Sequence, residues 1–152
     1  MTDLPPYANR LRAARERAGF SRESLSKQSG MALQHLEDLE SFDEELLMTV
    51  TLAQLAALGQ LIHVEPTELL ADNPGTRRPE SRIAPEGIAE LIRGRLRARG
   101  IPLEELEDEI GWELDRVLED PATLFEFNAD GLRDICDALG VDWLRALPDA
   151  VG

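Results

Sequence analysis

The sequence predicts an all-α protein, on three observations. Apolar residues recur three and four positions apart through most of the chain, no stretch sustains the period-2 alternation of a strand, and Ser, Gly and Pro punctuate the pattern at helical lengths. Hydrophobic residues make up 43% of the 152 positions and aromatic ones only 5%, so a core is affordable and must be mostly aliphatic. The length suits one ordinary domain or two small ones.

The elements follow in order. Tyr7, Leu11, Ala14 and Ala18 share one helical face, with Pro5-Pro6 before them and Gly19 as a stop. Ser21 caps a second helix centred on Leu25 and ending near Gly30. A third carries Leu33, Leu36 and Leu39. An acidic and apolar connection from Ser41 to Thr51 leads to a fourth helix through Leu52, Leu55, Leu58 and Ile62. In Val64-Glu65-Pro66-Thr67-Glu68-Leu69-Leu70 the proline opens a closing helical turn, where its missing N–H costs nothing.

Residues 71–82, with two prolines, a glycine and no periodicity, read as a linker between a first domain (1–70) and a second (83–152). The second half repeats the plan. Gly100, Leu106, Gly111, Leu114 and Val117 fall 81 positions after Gly19, Leu25, Gly30, Leu33 and Leu36. Leu132, Ile135, Leu139, Val141 and Leu147 fall 77 after Leu55, Leu58, Ile62, Val64 and Leu70. An apolar skeleton repeated under divergent polar residues is the expected trace of a duplication.

The segment from Gly19 to Met31 is a capped helix, a glycine turn and an apolar residue, with Leu36, Leu39 and Glu40 spaced for a second, packed helix. It resembles the helix-turn-helix of phage-repressor and Cro-like (Xre-type) DNA-binding domains, over residues 7–70 and more loosely over 85–147. The resemblance implies two five-helix repressor-like domains in tandem, the second degenerate. It also implies a transcriptional regulator that docks duplex DNA through its first domain. Arg22 then takes the phosphate-contacting position after the helix-two cap. Ala32, Leu33, Gln34 and His35 begin the helix that reads bases, where Gln34 suits adenine and His35 a phosphate or base edge. Glu37 and Asp38 follow on the same helix. Glu40 matches a position tied up within the fold. In the second copy Leu103 replaces Arg22, Asp120 replaces the core residue Leu39, and Asp120-Pro121 ends the third helix early.

Charge opposes that implication. The chain carries a net charge of −14, with −5 on residues 1–70 and −9 on residues 71–152. Residues 31–45 hold six acids and no Lys or Arg, and residues 104–120 hold nine acids and only Arg116. Non-specific DNA affinity, with Kd on the order of 10⁻⁴ to 10⁻⁶ M, comes from phosphate neutralisation, which such acids oppose. The second copy is therefore not expected to read DNA. The alternative function is an acidic interaction module, binding another regulator or presenting DNA-like charge to a basic protein. Arg10, Arg12, Arg15 and Arg17 on the first helix, their counterparts Arg93, Arg95, Arg97 and Arg99, and Arg77, Arg78 and Arg82 in the linker either meet phosphates or pair with neighbouring acids.

Other candidates favour plain structure. His35 and His63 have no cysteine partner nearby, so no metal is expected, and His63 is placed as a helix-end cap. Cys136, the single cysteine, is read as a buried hydrophobe. Trp112 and Trp143 are assigned to the second core. Leu46–Val50 and Leu124–Phe127 fill their own cores or, if exposed, form a patch for a homodimer or partner. Nothing resembles a nucleophile with a base or a phosphate loop, so neither an enzyme nor a cofactor is expected. No stretch is apolar enough for a membrane span and the N-terminus lacks signal-peptide character, so the expected location is cytoplasmic.

Overall fold

The computed structural model describes residues 6–71 and 81–150. The chain is all-α. The first half consists of α1 (Tyr7–Arg17), α2 (Arg22–Ser29), α3 (Leu33–Leu39), α4 (Asp43–Met48), α5 (Leu52–Ile62) and α6 (Pro66–Leu70). The second consists of α7 (Pro85–Arg99), α8 (Leu103–Ile110), α9 (Asp115–Glu119), a 3-10 helix (Pro121–Glu126), α10 (Ala129–Leu139) and a second 3-10 helix (Trp143–Ala146). Among the described residues the only β feature is one isolated antiparallel bridge, Thr51 to Asn128.

Local chemistry sets the boundaries. The Ser21 hydroxyl accepts from the Ser24 N–H at 3.0 Å and starts α2. Gly30, at φ 77°, ends it in the left-handed conformation that glycine adopts without a Cβ clash. Thr51 and Gln54 form a reciprocal capping box that starts α5, and Pro66 sits in the first turn of α6. His63 ends α5 with its own backbone in the left-handed region, φ 59°, so the cap is made by the main chain.

The connection Ser41–Thr51 departs from expectation, because it contains a helix. The Asp43 carboxylate accepts the Ala8 N–H at 2.9 Å, which ties α4 to the start of α1. Leu46, Leu47 and Val50 are buried, whereas Met48 remains 54% exposed. In the second half α9 stops at Glu119. Asp120 is exposed and caps the following 3-10 helix by accepting the Ala122 N–H at 3.3 Å.

Both halves share one aliphatic core, running from Leu11 and Leu25 through Leu52 and Leu55 to Leu132 and Leu147. The junction has a pairwise order. Thr51 and Asn128, bridged antiparallel, each cap the helix that follows and stand 77 positions apart, the spacing of the apolar repeat. The Leu52 N–H donates to the Phe127 carbonyl at 2.8 Å, and the Asn128 amide donates to the Met48 carbonyl at 2.9 Å. Helix α4 packs on α10, while the 3-10 helix Pro121–Glu126, at the matching place in the second half, packs on α5. Leu46–Val50 and Leu124–Phe127 thus meet the opposite half through these contacts. The Ala150 N–H donates to the Glu65 carboxylate at 2.9 Å and closes the far end.

Of the sequence-read linker 71–82, residues 72–80, including Arg77 and Arg78, lie outside the described residues. Ala71 is buried, and Arg82 donates to the Leu147 carbonyl and pairs with Asp149 at 3.2 Å. Among the described residues no helix is long and apolar enough to cross a membrane.

Cys136 is fully buried on α10. Burial first, then the charges of Asp137 and Asp142, push its thiol up to about 12. A small thiol-alkylating reagent at pH 8 is expected to label the folded chain roughly a hundredfold or more slowly than the urea-unfolded chain. Comparable rates would place Cys136 at the surface.

Candidate nucleic-acid interface

The site implied by the sequence lies where α2 turns into α3. The Ser26 hydroxyl donates to the Met31 carbonyl at 2.5 Å, holding the turn, and Met31 tucks into the core. This leaves the first turn of α3 at the surface. Ala32, the N-cap of α3, is exposed and Leu33 is half-buried. Gln34 is exposed and donates to the Asp38 carboxylate at 3.1 Å. His35 is half-buried, with Nε2 2.9 Å from the Thr49 hydroxyl. That hydroxyl donates to the Glu45 carbonyl at 2.8 Å, which assigns the donor role to His35. The four residues share one surface turn, and the two polar ones already hold partners within the chain.

Arg22, at the start of α2, belongs to a cluster of three arginines. The Glu40 side chain has no solvent exposure and accepts a fork from Arg15: Nε at 2.7 Å on one oxygen and Nη2 at 2.9 Å on the other. Arg22 Nε reaches the same carboxylate at 3.2 Å. Arg12 Nε stands 3.5 Å away without hydrogen-bond alignment, while its Nη2 donates to the Glu40 carbonyl at 3.1 Å. Burial alone would raise the Glu40 carboxyl, but hydrogen bonds from Arg15 and Arg22 and their charges outweigh it, so the carboxyl lies below its ordinary value. The hydrogen bond to Glu40 raises Arg15 in turn.

Glu40 is therefore internal and neutralised. Arg22 keeps a side-chain exposure of 35%, and its bond to Glu40 engages only Nε, leaving the terminal nitrogens for another acceptor. No acid precedes Glu37 on α3. Lys27 on α2 is exposed, and among the described residues it forms no ion pair.

The remaining helix-one arginines divide between structure and solvent. Arg10 donates to the carbonyls of Leu69 and Ala71 at 2.8 and 2.6 Å, closing α6 onto α1. Arg17 is exposed. On α7, Arg93 and Arg95 donate to the carbonyls of Leu118 and Leu139, at 2.7 and 3.0 Å. Arg99 forks onto Glu109 of α8 at 2.7 and 2.8 Å. The repeat does not carry the Glu40 cluster over: the places 81 positions after Arg15, Arg22 and Glu40 are Leu96, Leu103 and Pro121. Leu96 and Leu103 pack against the core.

Trp112 also differs from expectation. Trp143 is buried, but Trp112 is half-buried at the junction of the halves, its indole N–H donating to Asp134 at 3.1 Å. It follows a glycine and takes the place of Met31 in the repeat, a position the first half buries, so the pattern alone misassigned it.

Compared with family models, curated proteins and solved structures, the chain finds no match.

Proposed function

We propose that this chain is a transcriptional regulator made of two fused repressor-like helix-turn-helix units, docking duplex DNA through the first. One observation carries the reading. The exposed first turn of α3 has no acid of its own, and the nearest internal acid, Glu40, is enclosed by arginines. On α2 the exposed Lys27 and the partly exposed Arg22 stand with one exposed acid, Glu23. The second unit, with nine acids and only Arg116 over residues 104–120, then serves dimerisation or effector contact instead of reading DNA.

The expected result is saturable binding to duplex DNA at low salt that weakens steeply as salt rises. Arg22→Ala should weaken it across all sequences and lower the salt slope by about one. Gln34→Ala should change sequence preference by about 1–3 kcal/mol at one base pair, if the amide leaves Asp38 to reach an adenine. Circular dichroism at the assay temperature separates these effects from unfolding. No binding at micromolar protein in low salt removes the reading.

A second reading, the acidic interaction module, has its own support. Glu104, Glu105, Asp108, Glu113, Asp115 and Glu119 are all exposed on α8, α9 and their connection. If these acids hold a basic protein, Glu104→Lys with Asp108→Lys abolishes its capture. A partner indifferent to that reversal rules the module out.

A further inference from the structure

A groove of about 610 Å³ opens at the junction, between the connection from α4 to α5 and the turn from α8 into α9. Its volume falls in the range of small-molecule sites. Its apolar wall is built by Trp112, Phe127 and Met48. The Trp112 and Phe127 rings stand 5.6 Å apart between centroids at 36°, and the large Met48 side chain is 54% exposed. Thr49 and Thr51, whose hydroxyls are already bonded to Glu45 and Gln54, also line it.

The rim is charged and unbalanced. Glu113, Asp115 and Glu126 face one cation, Arg116, which already pairs with Glu126 at 3.4 Å. The other two rim carboxylates, Glu113 and Asp115, are exposed and line the same groove as the rings. An indole face attracts cations through its quadrupole, and carboxylates at the rim add Coulomb attraction. An anion would meet the same rim as repulsion.

We propose that this groove binds a flat aromatic organic cation, its rings against Trp112 and Phe127 and its charge beside Glu113 and Asp115. The site draws on both halves and requires no nucleic acid.

The test is a titration of the full-length, nucleic-acid-free chain with ethidium, followed by ethidium fluorescence. The anionic dye 1-anilinonaphthalene-8-sulfonate serves as the opposite-charge control. The expected result is saturable, one-to-one ethidium binding that Glu113→Gln with Asp115→Asn weakens about tenfold or more, as loss of two adjacent charges implies. Both substitutions are exposed and conservative, so an unchanged thermal melt shows that the fold is retained. Trp112→Phe should weaken binding less than the double change while keeping it saturable. Absence of saturable ethidium binding overturns the proposal. So does equal affinity in the Glu113→Gln, Asp115→Asn variant, or an anionic dye that binds as well as the cation.

Discussion

Glu40→Ala is expected to lower the unfolding free energy by about 3–5 kcal/mol, because it strands the buried Arg15 cation instead of removing a pair. Arg15 is 8% exposed and would lose both carboxylate bonds, retaining only its donation to the Phe20 carbonyl at 2.8 Å. Arg12 and Arg22 would then face Arg15 with no anion between them. Domains are stable by only about 5–15 kcal/mol, so a loss of this size is a large part of the whole. Urea unfolding read by far-UV circular dichroism measures it. Both tryptophans, Trp112 and Trp143, lie in the second half, so their fluorescence reports unfolding there. With one shared core, the substitution in the first half should shift both signals together. A loss under about 1 kcal/mol would make the cluster equivalent to an exposed pair. A fluorescence transition that stays in place would mean that the halves unfold independently.

The second half indicates how the cluster can be replaced. With leucines at the places of Arg15 and Arg22, it keeps its packing without buried charge. Glu40→Leu combined with Arg15→Leu should therefore cost less than the sum of the single changes, since together they remove the buried pair, whereas each alone leaves one partner uncompensated. The same cluster sets a pH dependence. The Glu40 carboxyl lies lower in the folded than in the unfolded chain, so its stabilisation is fully present above the unfolded value of about 4.3. It is lost as pH falls through the folded value. The stability gap between the natural chain and Glu40→Gln should thus be constant near neutrality and close below about pH 4. A gap that stays constant into that acidic range would mean that the carboxyl is not held low.

Elements with a local signature were legible in the sequence. Ser21, Gly30 and Pro66 mark boundaries because caps and turns act within a few residues of themselves. Thr51 and Asn128, which the fold brings together, stand at the repeat spacing of 77, but the sequence carried no signal that they would meet. Helix α4 was not legible: its six residues make less than two turns, and its stability comes from the Asp43 carboxylate accepting the Ala8 N–H of α1 and from leucines buried by tertiary packing. The burial of Glu40 followed from its place in the motif, but the convergence of Arg12, Arg15 and Arg22 upon it did not. Arg12 and Arg15 share a face of α1 and Arg22 stands on α2, and only the tertiary packing brings the end of α3, with Glu40, between them. The junction groove was equally hidden, because it joins residues from opposite halves and has no local pattern.

Two alanine substitutions should act with opposite sign. Inside a helix, glycine to alanine is favourable by about 1 kcal/mol, because glycine loses more backbone freedom on folding. At Gly94 in α7 a new Cβ would meet nothing within 4 Å, so Gly94→Ala should realise that gain. At Gly59 in α5 the same Cβ would stand 2.3 Å from the Val64 carbonyl oxygen and 3.0 Å from the Ala150 Cβ. That oxygen cannot easily withdraw. The Val64 N–H donates back to the Gly59 carbonyl at 3.0 Å, His63 before it is fixed by its left-handed cap, and Glu65 after it holds the Ala150 N–H. Overpacking a tight site costs roughly 1–3 kcal/mol, and an approach this close to backbone belongs at the upper end. The steric cost then exceeds the entropic gain, and Gly59→Ala should destabilise by about 2 kcal/mol. Urea midpoints at unchanged slope measure both changes. If Gly59→Ala stabilises as Gly94→Ala does, the return of the chain against α5 is not as close as the structure places it.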